Sequence, residues 1–347
     1  MYTTRKVNIG NVTIGGGSPI AIQSMTNTDT RDIKATVNQI NELENAGCDI
    51  ARVAVKYPEA AHAIAEIKKG IKIPLVADVH FDYTLAIESI KAGADKLRIN
   101  PGNIGDSGRV KNVLNTAKEY GVPIRVGVNG GSLEKDLLEK YGAATADALV
   151  ESALRHIAVL EENNFYDTVI SVKTSGVPLT YEAYVKLAEA CSYPLHVGVT
   201  EAGTVNGGKI KSAVGIGALL LRGIGDTIRV SLTGTPAEEV RCAAEILKAA
   251  EKLNDGVNFV SCPTCGRTEI DLITLAVKAE EYCLKVKKNI KVAVMGCVVN
   301  GPGEARDADI GIAAGKGSGA LFKKGKVIKT LPEAELLNAL IREIEEF

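Results

Sequence analysis

Short β-rich runs alternate with helical stretches from about residue 20 to 231, and this regularity restricts the fold more than any other property of the chain. The strand candidates are Ile20–Ser24, Ile50–Val55, Pro74–Val79, Lys96–Ile99, Pro123–Val128, Thr168–Val172, Leu195–Val199 and Thr227–Ser231. Helical segments lie between and after them, at Ile33–Ala46, Pro58–Lys69, Tyr83–Ala92, Gly108–Glu119, Ala144–Glu162, Tyr181–Ala190, Gly208–Leu221 and Pro236–Leu253. Gly47, Gly70, Gly93 and Gly121 stand where a left-handed helix cap is expected. Regular β-α alternation implies parallel strands. Eight such units over roughly 230 residues predict an α/β chain built on a closed (β/α)8 TIM barrel rather than an open doubly wound sheet. No G-x-G-x-x-G follows the first strand, which weakens a dinucleotide-binding reading. Val7–Ile14, followed by Gly15-Gly-Gly-Ser18, reads as a hairpin closing the barrel bottom.

The character changes near Asn254-Asp-Gly256, which divides a barrel domain over 1–255 from a small α+β domain over 256–347. Two domains are expected of 347 residues, because one hydrophobic core stops growing below that size. Lys+Arg 41 against Asp+Glu 42 leaves a net charge of −1, which gives no support to nucleic-acid binding. Met1-Tyr-Thr-Thr-Arg-Lys6 has no apolar signal region, and no stretch approaches the ~18 apolar residues of a membrane span. The expected location is the cytoplasm, with no membrane or nucleic-acid partner.

In a (β/α)8 barrel the active site forms at the carboxyl ends of the strands. Those positions hold Arg52; Asp78-Val-His80; Arg98-Ile-Asn100; Arg125 and Asn129; Lys173; His196, with Glu201 beyond it; and Arg229-Val-Ser231. Period-two spacing turns the four arginines and the lysine toward the barrel axis. Asp78 and Glu201 are too few to neutralise five buried cations, each of which needs a partner. A polyanion resolves the imbalance, and Arg forks suit a diphosphate. For a single arginine an outward-facing side chain or an internal salt bridge is the lesser alternative; for the same feature on five strands it is weaker still. His80, His196 and Glu201 are the candidates for handling protons. His62 and His156 lie on helices and receive no role.

Seven cysteines, an odd number, make metal or thiol chemistry a better explanation than disulfides. Cys48, Cys191, Cys242 and Cys283 have no ligand spacing and are expected to pack as small apolar residues. Cys262-Pro-Thr-Cys265 is different, with Cys297 32 positions later and Glu304 seven beyond that. A structural zinc or a purely electron-carrying cluster normally has every position closed by Cys or His, and no His lies near these cysteines. Three sulfurs and one oxygen leave an exchangeable corner, as a catalyst requires.

The chain resembles one family closely, the bacterial 4-hydroxy-3-methylbut-2-en-1-yl diphosphate synthases of the non-mevalonate isoprenoid pathway. The matching segments are Ile22-Gln-Ser-Met-Thr26, Ala77-Asp-Val-His80, Arg98-Ile-Asn-Pro-Gly-Asn103, Arg125-Val-Gly-Val-Asn129, Ser171-Val-Lys-Thr-Ser175, His196-Val-Gly-Val-Thr-Glu-Ala-Gly203, Cys262-Pro-Thr-Cys-Gly-Arg267 and Met295-Gly-Cys-Val-Val-Asn-Gly-Pro-Gly-Glu304. They span nearly the whole chain, and the length resembles the short bacterial form. The resemblance implies reductive ring opening of 2-C-methyl-D-erythritol 2,4-cyclodiphosphate to (E)-4-hydroxy-3-methylbut-2-enyl diphosphate. It implies a [4Fe-4S] cluster on Cys262, Cys265 and Cys297, with Glu304 on the fourth iron, and ferredoxin or flavodoxin as electron donor. It also implies a head-to-tail homodimer in which one subunit's cluster domain caps the other's barrel. The rival readings are a structural zinc site on a phosphate-binding barrel, a pterin-dependent methyl transferase and a non-enzymatic iron–sulfur carrier. The zinc reading lacks a fourth ligand. The pterin reading leaves the three-cysteine domain without a role, and the carrier makes the cationic barrel mouth unnecessary.

Overall fold

A computed structural model describes residues 3–253, 256–297 and 307–347 of the chain. Two compact units result, Met1–Lys252 and Leu253–Phe347.

The first unit opens with an antiparallel hairpin, β1 (Val7–Ile9) and β2 (Val12–Ile14). Among the described residues, eight parallel strands follow: β3 (Ala21–Met25), β4 (Ile50–Ala54), β5 (Leu75–Asp78), β6 (Lys96–Ile99), β7 (Ile124–Asn129), β8 (Thr168–Lys173), β9 (His196–Val197) and β10 (Thr227–Ile228). Their order is β8-β7-β6-β5-β4-β3-β10-β9, and a parallel bridge between Ile170 and Leu195 closes the ring. The helices outside it are α1 (Ile33–Asn45), α2 (Pro58–Lys69), α3 (Tyr83–Lys91), α4 (Pro101–Ile104), α5 (Ser107–Tyr120), α6 (Lys135–Tyr141), α7 (Ala146–Glu162), α8 (Val177–Ala190), α9 (Val205–Leu221) and α10 (Pro236–Ala249). The short α4 and α6 are additions to the expected helices, in the loops after β6 and β7.

The barrel interior is layered by the two-residue period of its strands. Ala21, Ile50, Val76 and Val169 form an apolar floor, sealed by Val7, Ile9 and Ile14 of the hairpin. Residues of opposite parity, among them Val53, Ala77, Leu97 and Val126, face the helices and join Ile64, Ile67, Leu85, Val113 and Leu114 in a second core. Asp49, Asp95 and Asp226 accept the amides of Ile22, Leu75 and Leu195 at 2.7, 2.7 and 2.8 Å, tying each strand to its neighbour's entry. Gly47, Gly93 and Gly121 take the left-handed φ expected of helix-ending glycines, +100°, +98° and +65°. Gly70 does not, at −101°. Glycine is needed there for space, since a Cβ would meet Val37 at 2.8 Å.

Strands β9 and β10 are shorter than the five residues each expected. Beyond them the two segments still exchange bonds, from Arg229 N to Val197 O at 3.0 Å and from Thr233 N to Gly203 O at 2.9 Å. The regular ladder stops where Gly198 lies so close to β10 that an added Cβ would sit 2.3 Å from the Arg229 carbonyl oxygen.

The second unit is a five-stranded mixed sheet in the order β11-β12-β13-β14-β15, made of β11 (Val257–Ser261), β12 (Ile290–Met295), β13 (Ile310–Gly315), β14 (Ser318–Lys323) and β15 (Lys326–Pro332). The first three strands are parallel and the rest antiparallel. Helix α11 (Leu272–Cys283) joins β11 to β12, and α12 (Leu336–Glu346) ends the chain. Leu272, Val292, Val294, Ile312, Leu336 and Leu340 are buried in the core between helices and sheet. β11 was not anticipated, because Asn258 and Ser261 dilute its apolar pattern. Among the described residues, no helix is long and apolar enough to cross a membrane.

Candidate active site

The barrel mouth is built on Asp78. Its carboxylate is 4% exposed and lies 3.2 Å from Arg98 Nη1, 3.3 Å from His80 Nε2 and 3.6 Å from Arg52 Nη2. Burial alone would raise the Asp78 pKa, but Arg52, His80 and Arg98 together outweigh it and hold the carboxyl well below the usual carboxylate range. Burial also lowers Arg52, to about 10, with Asp78 only partly offsetting it. Arg52 turns its Nε and Nη2 to the Met25 sulfur at 3.1 and 2.9 Å. Both ring nitrogens of the half-exposed His80 lie within 3.2 Å of Arg98 Nη1.

Arg125 and Lys173 complete the ring with much less compensation. Arg125 is 2% exposed and donates from Nη1 to Ser171 Oγ at 2.7 Å, while its Nε and Nη2 are buried without a hydrogen-bond partner. Burial, then the neighbouring cations, push Arg125 and Lys173 well below their ordinary pKa values, and Lys173 feels all four arginines. The structure therefore brings Arg52, Arg98, Arg125, Lys173 and Arg229 into one electrostatic cluster. The second carboxylate in it is Glu239 of α10, 3.6 Å from Arg229 Nη2, and not Glu201 as the strand-end reading expected. Glu201 is exposed and joins none of the ion pairs found among the described residues.

His196 is fully buried; its Nδ1 pairs with Thr227 Oγ1 at 2.7 Å, and its carbonyl accepts the Tyr184 hydroxyl at 2.6 Å. Its Nε2 is buried without a partner. Burial, then Lys173 and Arg125, push its pKa well down, so the ring is neutral and serves as a hydrogen-bonding group. Below this level lies a sixth cation, Lys96, fully enclosed and bound to Gln23 Oε1 at 3.1 Å. It stands two residues before Arg98, so the inward parity that marks the arginines marks it too. Gly198 shares the inward parity of His196, and a Cβ there would lie 2.8 Å from Lys173 Nζ.

Over β7, β8 and β9 the loops enclose a cavity of about 640 Å³, lined by Asn129, Ser132, Thr174, Ser175, Thr200 and Glu201 among others. Glu201 has a φ of +52°, a conformation that costs a non-glycine residue and recurs at functional sites. Asn100 is buried, and its Oδ1 caps α4 by accepting the Gly102 amide at 3.1 Å. Ser231 is half-buried, beside Leu232. His156, assigned no role from sequence, is buried against the loops after β6 and β7: its Nε2 is 2.8 Å from Glu134, and a Cβ on Gly102 would lie 3.0 Å from its ring.

In the second unit, Cys262 follows β11 directly and Cys297 follows β12 by two residues. These strands are parallel neighbours, so both cysteines leave the same edge of the sheet. Gly296 N donates to Cys262 Sγ at 3.1 Å. Cys265 is exposed, and a backbone hydrogen bond at Arg267 lowers its pKa toward the thiolate. Three thiols on adjacent loops fit an iron–sulfur cluster by donor chemistry. Among the described residues, no three His, Cys, Asp or Glu side chains converge on a single metal ion. Glu304, the expected fourth ligand, lies outside the described residues. None of the described cysteines forms a disulfide; Cys48, Cys242 and Cys283 are buried and Cys191 is half-buried.

Residues 4–244 match the family described as GcpE TIM-barrel domain, and residues 258–346 the GcpE protein C-terminal domain. The chain is 60% identical to the 4-hydroxy-3-methylbut-2-en-1-yl diphosphate synthase (flavodoxin) of Ruminiclostridium cellulolyticum, over 99% of this chain and 97% of that one. It is 61% identical to the protein of the same name from Caldanaerobacter subterraneus, with the same coverage, and 58% to that of Fusobacterium nucleatum. Among solved structures, a truncated 3-deoxy-D-arabino-heptulosonate 7-phosphate synthase from Thermotoga maritima gives a TM-score of 0.50 at 13% identity, covering 72% of this chain and 92% of that one, a likeness of fold alone. With both of its units matched along nearly their whole length, the chain belongs to the GcpE family of 4-hydroxy-3-methylbut-2-en-1-yl diphosphate synthases.

Proposed function

We propose that this chain is a cytoplasmic iron–sulfur oxidoreductase. It takes 2-C-methyl-D-erythritol 2,4-cyclodiphosphate, two electrons and two protons to (E)-4-hydroxy-3-methylbut-2-enyl diphosphate and water. The observation that carries this reading is the convergence of Arg52, Arg98, Arg125, Lys173 and Arg229 from five strands, with Asp78 and Glu239 the only carboxylates ion-paired to them among the described residues. A diphosphate supplies the missing negative charge, and the two unpartnered nitrogens of Arg125 are donors ready for its oxygens. Asn100, Asn129 and Ser231 add hydrogen bonds around the substrate, and His80 and His196 orient it. Glu201, on the cavity wall, donates a proton to the departing hydroxyl.

When bound to Cys262, Cys265 and Cys297, with Glu304 as its exchangeable ligand, a [4Fe-4S] cluster supplies single electrons and a Lewis-acidic iron. Flavodoxin, which appears in the names of the relatives, is the proposed electron donor, with ferredoxin as the alternative. In this proposal 1–255 binds the substrate and 256–347 holds the cluster. The proposal includes the head-to-tail homodimer that the family resemblance implies, in which each cluster domain serves its partner's barrel.

The test is anaerobic turnover of the cyclodiphosphate with a strong one-electron reductant, alongside iron and sulfide analysis. Wild type should form product, Cys297→Ser should lose both cluster and activity, and Glu304→Ala should keep iron but lose most turnover. Wild type that carries zinc without sulfide and forms no product would sink the proposal.

A further inference from the structure

The second carboxylate of the mouth comes through the barrel wall. Glu239 is the fourth residue of α10, which packs on β3, and it is 5% exposed. Its Oε1 accepts the Leu232 amide at 2.9 Å, its Oε2 accepts the Ser24 hydroxyl at 3.2 Å, and Arg229 Nη2 stands 3.6 Å from Oε2. Capping does not explain it, because Thr235 and Glu238 already form a complete capping box at the start of α10. All three neighbours are donors on two oxygens. Such a site requires an acceptor-only group, since a carboxamide in either orientation would turn its NH2 toward a donor. Arg229 Nε is buried without a hydrogen-bond partner, so among the described residues Glu239 is the ion-pair partner that orients this guanidinium. Ser231 lies between the two residues that Glu239 holds, Arg229 and Leu232.

We propose that Glu239 is a positioning residue for the anion site, presetting Arg229 and the Ser231 segment so that a diphosphate meets them already oriented. The inference rests on reading the mouth as a diphosphate site. Its direction is diagnostic: deleting a negative charge beside an anion site should by itself tighten anion binding. Loss of positioning does the opposite.

The experiment is calorimetric titration of the full-length, cluster-loaded protein with inorganic pyrophosphate under anaerobic conditions. Wild type, Glu239→Gln, Arg229→Ala and the double variant form a cycle. Glu239→Gln should weaken binding about tenfold, a loss of preorganisation. In the Arg229→Ala background the same change should not weaken binding at all. Glu239→Asp, which remains acceptor-only, should recover part of the loss. If Glu239→Gln does not fold, Glu239→Asp with and without Arg229→Ala gives the same cycle. Wild-type affinity in the folded single variant, or equal weakening in both backgrounds, overturns the inference. If Arg229→Ala alone leaves pyrophosphate binding unchanged, the diphosphate reading of the mouth fails and takes this inference with it.

Discussion

Asp78→Asn is the perturbation that most directly tests the charge balance of the barrel. The carboxylate faces Arg98 at 3.2 Å and Arg52 at 3.6 Å. At an effective dielectric of about 20, each contact contributes roughly 5 kcal/mol of gross attraction, against several kcal/mol to bury the carboxylate. Removing one member of such a buried group typically costs about 3–5 kcal/mol, because the remaining cations are left uncompensated. For a unit of this size the expected drop in Tm is on the order of 10 °C. The assay is thermal unfolding of wild type and Asp78→Asn, each with and without saturating pyrophosphate. At a hundredfold excess over Kd the ligand adds about 2.7 kcal/mol to wild type. It should add more to the variant, which has one more uncompensated positive charge, so the gap should narrow. The sign with pH is also set. Because the folded-state pKa is depressed, the stabilisation by Asp78 is fully present above the unfolded value of about 3.9 and is lost only as pH falls through the lower, folded value. The difference between the two proteins should therefore stay flat from about pH 5 to 8 and shrink only in stronger acid. An unchanged Tm in Asp78→Asn, or a gap that pyrophosphate leaves untouched, would refute the reasoning.

Gly198→Ala should weaken pyrophosphate binding by more than tenfold, since the new methyl would strike both the Arg229 carbonyl and Lys173 Nζ and overpacking of this kind costs about 1–3 kcal/mol; wild-type affinity in isothermal titration would contradict it. Lys96→Met should raise Tm at pH 7 by about 2–6 °C, because a fully buried ammonium bound to Gln23 is costly. Burial depresses the Lys96 pKa, so wild type should regain stability as pH rises toward the ordinary lysine value while the variant does not, and parallel melting curves across that range would count against this account. Cys242→Ser should retain wild-type iron and sulfide, whereas Cys262→Ser should lose both; equal loss from the two, measured by metal analysis, would contradict the proposed ligand role of Cys262.

The barrel was legible because its signal is local. Strand–helix period, helix-ending glycines and inward parity all repeat within each unit, and the parity that places Arg98 and Arg125 also places Lys96 and Ser171. What the sequence hid is what reaches the site from outside that pattern. Glu239 sits on a helix beyond the last strand, in a stretch whose acidic residues look like an ordinary helix start. Only the crossing of α10 over β3 brings it to Ser24, 215 positions away. Gly70 departs from the expected left-handed cap for a related reason, since its contact with Val37 is tertiary and leaves no mark on the residues beside it.

The two buried carboxylates offset only part of the positive charge at the barrel mouth. Asp78 is shared among two arginines and a histidine, and each Glu239 oxygen already accepts one hydrogen bond, from Leu232 or Ser24. Neither forms an ion pair with Arg125, two of whose nitrogens are buried without a hydrogen-bond partner. Lys173 makes no ion pair with a carboxylate among the described residues, and burial, then the four arginines, lower its pKa. Full neutralisation would make the barrel more stable and leave nothing for a diphosphate to repay. On the diphosphate reading proposed above, partial neutralisation keeps the resting fold viable and leaves Arg125 and Lys173 to meet the incoming charge.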